Sequence, residues 1–217
     1  MTQPLNHTDP ESVPQPVTQS RKRSVVREYV EAILIAVLLA LLIRTFVVQA
    51  FKIPSGSMIP TLLVGDHILV NKFIYRFRDP ARGDVVVFKY PVEEHRDFIK
   101  RVIAVGGEEI YIKDRQVFIN CQPPAPTCQP IKESWAYYED RMAPGGEPYG
   151  PKQVPAGHHF VMGDNRNNSQ DSRWWGYVKQ EKIKGQAFII YWSWDSEHDR
   201  KPLWQRVRWG RLGRLIH

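Results

Sequence analysis

Apolar and polar positions follow three successive patterns along the chain. Residues 1–20 are polar and proline-rich, with no apolar period, which predicts a disordered tail. An unbroken apolar run follows from Ala32 to Ile43. Its 12 residues make about 18 Å of helix, against a bilayer core of about 30 Å. Widened to Tyr29–Val48 the run has 20 residues, and it then includes Glu31 and Arg44 near its ends, where long side chains reach headgroups. After Gly65 the pattern changes to short β-rich runs separated by turn residues. These predict strands at His67–Asn71, Asp84–Tyr90, Asp97–Val105, Glu109–Lys113, Gln116–Asn120, His158–Met162 and Gly185–Trp192. A two-residue connection at Asp114-Arg115 predicts a hairpin. Many short strands with Gly/Pro punctuation, and no helical period outside the apolar run, predict a mainly β fold: a folded sheet or barrel-like core. Residues 121–156 are proline-rich with little alternation and predict an irregular insertion.

The apolar run admits three readings. A buried soluble helix is the weakest, because the run is apolar all round. A cleaved signal peptide suits its core length, and Val48-Gln49-Ala50 resembles a small-residue cleavage site. The preceding region is long for that reading, and cleavage would leave the next segment as a frayed terminus. An uncleaved signal anchor is favoured. Arg21, Lys22, Arg23 and Arg27 precede it, which places the tail in the cytoplasm and the remainder outside.

Composition narrows this little. The chain is 42% hydrophobic and 24% charged, with a net charge of +7. That charge suits nucleic acid, anionic lipid or no specific partner, and no nucleic-acid-binding signature supports the first. The basic carboxyl end, with Trp204 and Trp209, fits a lipid-facing or a plainly solvated surface. Cys121 and Cys128 lack the four-ligand pattern of a zinc site; a disulfide closing a short loop and two free thiols both remain open.

Three stretches carry candidate chemistry. The first, Phe51 to Thr61, crowds Ser55, Gly56 and Ser57 between Pro54 and Pro60, a rigid loop able to present a hydroxyl beside backbone N–H groups. Ser57 is not in a Gly-x-Ser-x-Gly elbow, and Pro60 stands where a Ser-x-x-Lys motif needs lysine. His67, His95, His158 and His159 lie in no recognisable triad context. The second stretch, Asp97–Val105, reads as a buried strand that nevertheless contains Lys100, on one face with Phe98, Val102 and Ala104 by period two. Burial lowers a lysine pKa; a fall from about 10.4 to about 7–8 corresponds to roughly 3–5 kcal/mol. The alternative is that Lys100 or Arg101 merely reaches the rim of the sheet. The third, Gly163 to Gly176, is dense in Asn, Asp, Ser and Arg. Asp164 or Asp171 could pair with Arg166 or Arg173 as a scaffold; a Ca²⁺ loop is a weak rival, since the spacing is not that of an EF-hand and two arginines oppose a cation.

In this order, Pro-Ser-Gly-Ser-Met-x-Pro-Thr, the Lys-Arg strand followed by Gly106, and Gly-Asp-Asn-Arg-x-Asn-Ser-x-Asp-Ser-Arg resemble bacterial type I signal peptidases. The resemblance implies a Ser/Lys-dyad protease that cleaves signal peptides from exported preproteins. It implies Ser57 as nucleophile, Lys100 as general base, Ser55 at the oxyanion site, Ser169 orienting Lys100, and Asp171 and Arg173 as supports. Ile53, Met58, Leu62, Phe98 and Ile99 match positions lining small-residue pockets. Asn167 departs from the family's usual aspartate. The resulting expectation is a disordered cytoplasmic tail (1–28), one transmembrane anchor (29–48), a β catalytic core (51–112 and 157–217) and an inserted subdomain (113–156). No metal or cofactor is expected. The expected partners are preprotein signal peptides and phospholipid, not nucleic acid, for a monomer in the bacterial inner membrane with its catalytic side outside. The self-cleaving Ser/Lys repressor type is a rival that would need a DNA-binding domain and no anchor. A non-catalytic, membrane-anchored β binding module is the other.

Overall fold

The apolar run folds as part of α1, Val25–Phe46. The computed structural model describes residues 25–139, 148–195 and 202–217, and it divides into two units, one ending at Ala40 and one spanning Leu41–His217. Of the tail expected over residues 1–28, residues 1–24 lie outside the described residues, and 25–28 are helical rather than disordered. The helix begins at Val25 rather than Tyr29, because nothing in Val-Val-Arg-Glu breaks it and Glu28 in its first turn suits the positive end of the helix dipole. It stops at Phe46 rather than Val48. Val47 N–H still reaches Ile43 O at 2.9 Å, but Val47 O already accepts from Lys72 N–H, and Val48 opens a strand. Among the described residues no helix is long and apolar enough to cross a membrane. The uncharged stretch is limited to Ala32–Ile43 by Glu31 and Arg44.

The second unit is built on antiparallel β structure. In chain order its strands are β1 (Val48–Lys52), β2 (Asp66–Asn71), β3 (Val85–Lys89), β4 (Asp97–Val105), β5 (Glu109–Lys113), β6 (Gln116–Ile119), β7 (Tyr149–Gln153), β8 (His158–Met162), β9 (Val178–Lys179), β10 (Ile183–Ser193) and β11 (Arg214–Leu215). The large sheet runs β1-β2-β10-β3-β4-β8-β9, with β11 added to β10; β6-β5-β7 form a second sheet. Two short helices, α2 (Ser172–Trp175) and α3 (Leu203–Arg206), interrupt the later strands.

The expected hairpin forms. Lys113 pairs with Gln116, and both connecting residues take positive φ, 49° at Asp114 and 65° at Arg115, the backbone of a two-residue turn matched to strand twist. Cys121 and Cys128 are joined in a disulfide. The strand expected at Gln116–Asn120 forms as β6, whereas the stretch 121–156, expected to be irregular, holds β7 among its described residues; β7 pairs with β5 despite Pro151, because a strand at the edge of a small sheet can spare a donor.

Three apolar clusters fill the unit. One unites Ile53, Met58 and Leu62 with Ile68, Val70, Val85, Val87, Ala187, Ile190 and Ile216. A second packs Val86, Phe88, Val102, Val161 and Val178, and a third lies under β5, β6 and β8. The parity expected for β4 therefore holds only in part. Lys100 keeps the face of Phe98 and Val102, but an irregularity between Val102 and Ala104 shifts the register against β8 and turns Ala104 into another cluster.

β4 has one feature that matters for function. Its first five residues pair with β3, but β8 pairs with it only over Arg101–Val105. On the β8 side, Asp97–Lys100 face no strand among the described residues. A sheet edge is left open beside Lys100.

Candidate active site

The Pro-rich stretch turns sharply after β1. Ser55 is extended, with φ −135° and ψ 157°, and leads into a single 3₁₀ turn, Gly56–Met58. Met58 is fully buried and anchors the turn in the core, while Ser57 next to it is 9% exposed. The turn thus has one side chain fixed in apolar packing and the neighbouring hydroxyl held toward the open edge of β4.

Lys100 meets that hydroxyl. Its Nζ donates to Ser57 Oγ at 2.7 Å across 43 residues of sequence. The lysine is 4% exposed, and burial pushes its pKa down to about 8. Asp171 and Asp164 oppose the shift through their charge, and Arg173 adds to it. Desolvation wins because it removes hydration from the ammonium outright, whereas neither carboxylate forms an ion pair with it. A buried amine titrating near 8 is unprotonated often enough at neutral pH to accept a proton. The pair lies in a cleft of about 530 Å³ lined also by Pro54, Ser55, Gly56, Arg96 to Ile99, Asn168 and Gln170. Among the described residues no histidine lines it.

The Asn/Asp/Arg loop after β8 braces the turn from behind. Asn165 N–H donates to Ser57 O at 3.1 Å, and Asn165 Nδ2 donates to Gly56 O at 3.3 Å and to Glu139 Oε1 at 2.8 Å. Gly163 N–H donates to Asp171 Oδ2, and Asp171 also holds Arg173 through two bonds of 2.8 Å. Arg101, one residue beyond the lysine and so on the opposite face of β4, grips Asp164 with two bonds of 2.8 Å; both side chains are essentially inaccessible. Thr61 Oγ1 donates to the same carboxylate at 2.5 Å. The expected pairing is half right: Asp171 takes Arg173, but Asp164 takes Arg101, and Arg166 is paired with Glu133.

The family described as "Signal peptidase, peptidase S26" matches residues 26–192. The chain belongs to this family. It is 40% identical to a signal peptidase I of Pseudomonas fluorescens over 76% of this chain and 72% of that one. It is 38% identical to a signal peptidase I of Aquifex aeolicus over 70% of this chain and 78% of that one. A solved signal peptidase I from Enterococcus faecalis aligns with 50% of this chain and 97% of its own at 26% identity, with a TM-score of 0.41. Membership in the signal peptidase family makes the chain a serine peptidase, a hydrolase of peptide bonds.

Against this signal peptidase background, each expected residue has a defined position. Ser55, Ser57, Phe98, Ile99 and Lys100 line the cleft, with Ser55 exposed and Phe98 and Ile99 half-buried. Asp171 and Arg173 stand behind it as a pair. Ile53, Met58 and Leu62 do not form its wall: at 2%, 0% and 0% exposure they lie in the core beneath the turn, with no surface left to touch a ligand. Nor does Ser169 hold Lys100. Its hydroxyl is buried without a hydrogen-bond partner and packs against Gly163, and the lysine amine is engaged by Ser57. Asn167 is exposed, outside the buried braces, so its missing charge removes nothing from them.

Arg101, Thr61, Asn165, Glu133 and Glu139 were not singled out as site residues. For Arg101 the signal was present: a second cation in an otherwise apolar strand either snorkels or requires a buried acid. It is fully buried, so the rim reading is corrected. Asp164→Ala would leave the guanidinium without its carboxylate and should destabilise the folded unit by about 3–5 kcal/mol. Denaturant unfolding followed by tryptophan fluorescence measures this; a loss under about 1 kcal/mol would show that the pair contributes little beyond a surface bridge.

Proposed function

We propose that the chain removes signal peptides from exported preproteins, cutting after small residues, with Ser57 as nucleophile and Lys100 as general base. The observation that carries this reading is the 2.7 Å contact between Lys100 Nζ and Ser57 Oγ, made by a buried lysine whose pKa is brought to about 8. Neutral Lys100 accepts the Ser57 proton as Oγ attacks the scissile carbonyl carbon. The Ser55 hydroxyl and Ser57 N–H would donate to the developing oxyanion. The ammonium of Lys100 then gives its proton to the departing amine. In the second half Lys100 takes a proton from water as the water oxygen attacks the acyl carbon, then returns it to Ser57 Oγ as the bond to the acyl carbon breaks, which regenerates the hydroxyl and the neutral amine.

The substrate would lie extended along the open edge of β4, its backbone bonded to Asp97–Lys100 as an added strand. Phe98 and Ile99 form the wall beside the residues before the cut, leaving room for alanine at the first and third positions. Asp171 with Arg173 keeps the loop behind Ser57 in place.

In this reading α1 is a single-pass anchor in the bacterial inner membrane, the tail inside and the catalytic unit outside; its apolar part alone is shorter than the hydrocarbon core, so the flanking residues must cross with it. Its exposed Val, Ile and Leu side chains suit lipid, and Glu31 and Arg44 sit where they can reach headgroups. The basic residues before it set that orientation, and the Cys121–Cys128 disulfide suits an oxidising compartment. The chain acts as a monomer on signal peptides at a phospholipid surface, and not on nucleic acid.

The test uses the full chain in detergent with a preprotein carrying alanine one and three residues before the cut. Wild type should release one product with a defined new amino terminus, and Ser57→Ala none. Equal processing by both would sink the dyad; binding of the preprotein by both without any cleavage would support the non-catalytic module instead.

A further inference from the structure

The face of β4 that carries Lys100 continues toward the mouth of the cleft. Phe98 and Lys100 share that face by period two, and Arg96 is in the turn just before the strand. The Arg96 guanidinium and Lys100 Nζ each lie 5.5 Å from the Phe98 ring centroid, with Tyr90 stacked on the same ring. Arg96, Phe98 and Lys100 line the cleft.

The charges along this wall are unequal. Asp97 already has a close cationic partner, Lys184 at 2.6 Å, the two side chains being 28% and 29% exposed. Lys100 is buried and carries a weakened hold on its proton. Arg96 keeps a full charge in water: its side chain is 56% exposed, and its ion pair, with Glu93 of the same turn, is long at 3.4 Å and half-exposed itself. Such a pair contributes little and yields readily to a competing carboxylate.

We propose that Arg96 is a specificity-determining residue that favours acidic side chains in the signal peptide about four residues before the cut. The inference rests on the reading above, in which the residues before the cut pass along Asp97–Lys100. An extended strand beside β4 advances about 3.3 Å per residue, so a peptide whose scissile carbonyl is at Ser57 and Lys100 reaches Arg96 roughly four residues away. There an aspartate or glutamate meets a solvated guanidinium with a planar fork suited to carboxylates, while a lysine meets a like charge. Glu93 competes for the same guanidinium and moderates the preference.

The experiment compares preprotein-derived peptides that differ only in Glu, Gln or Lys at the fourth and fifth positions before the cut. The full-length protein is used in neutral detergent without anionic lipid, so that headgroups cannot occupy Arg96. Wild type should process the Glu peptide with kcat/KM about fivefold above the Lys peptide, the Gln peptide falling between, and the spread should shrink as salt is raised. Arg96→Ala should erase the spread among the three peptides, Arg96→Glu should invert it, and Glu93→Gln should widen it. Equal rates on all three peptides by wild type, or a spread that survives Arg96→Ala, would overturn the proposal and leave the proposed cleavage reaction untouched. Failure to cleave even the Gln peptide would remove that reaction, and the inference with it.

Discussion

Replacing Lys100 by methionine is expected to lower kcat for a preprotein by about 10³- to 10⁴-fold while changing KM little. Methionine has similar length and suits the apolar surroundings of the stem, so the fold should survive; what disappears is the nitrogen bonded to Ser57 Oγ. The wild-type pH profile should report the same group. With a pKa of about 8, the base is active only when unprotonated, so kcat/KM should rise with pH and reach half its plateau near 8. Stability should move in a linked way. The folded lysine releases its proton near pH 8 and the unfolded one near its ordinary value of 10.5. Between these the unfolded chain binds more protons, so wild-type stability should increase from pH 8 to 10.5, the penalty being fully present below 8. Lys100→Met removes that penalty and should be the more heat-resistant protein at pH 7, the difference narrowing as pH rises. Thermal melts of both proteins across this range, beside their cleavage rates, give the measurement. A lysine variant that keeps its activity, or a wild-type profile flat from pH 6 to 9, would rule out Lys100 as the base.

Gly163→Ala should also be damaging, for a steric reason. A Cβ on this residue would lie 2.3 Å from Ser169 Oγ, 2.6 Å from Ser169 Cβ and 2.5 Å from Ser57 O. The first two belong to a side chain that can move. The third is the backbone carbonyl of the nucleophile, held from behind by Asn165 N–H at 3.1 Å. Something must shift, and an ångström of displacement at a reacting serine costs about 10² in rate. Overpacking should also cost about 1–3 kcal/mol of stability. The loss should appear in kcat, since the cleft wall formed by Phe98 and Ile99 is not touched. Adding Ser169→Gly relieves the side-chain clash but leaves the one with Ser57 O, so Gly163→Ala/Ser169→Gly should remain impaired. Full recovery in the double variant would mean that only Ser169 mattered.

Much of this site was legible before any fold was known because it depends on local chemistry. Prolines on both sides of Ser57 exclude helix and central strand, and the structure has a one-turn 3₁₀ segment there. A lysine in an apolar strand implies burial, and burial implies a lowered pKa. The Asp114-Arg115 connection declared its hairpin because two strand-like runs flank just two residues. Misreadings arose where a residue's neighbours are remote. Ile53, Met58 and Leu62 were expected at pocket walls from the family resemblance, yet they point beneath the turn into packing supplied by β2, β3 and β10. Arg101 and Asp164 are 63 residues apart, and either had several eligible partners. The turn of Ala104 away from Lys100 depends on a register shift against β8 that no periodicity within β4 records.

By itself, the sequence determined the order of parts, the motif residues and the type of chemistry, since hydrophobic period, proline geometry and amine burial are properties of short stretches. Only the tertiary structure decided which groups meet. It put Lys100 against Ser57 across 43 residues, gave Asp164 to Arg101, and left the edge of β4 open because β8 begins its pairing at Arg101. Those outcomes depend on how antiparallel strands register and on which buried charge finds which partner, and both are settled by the whole sheet at once.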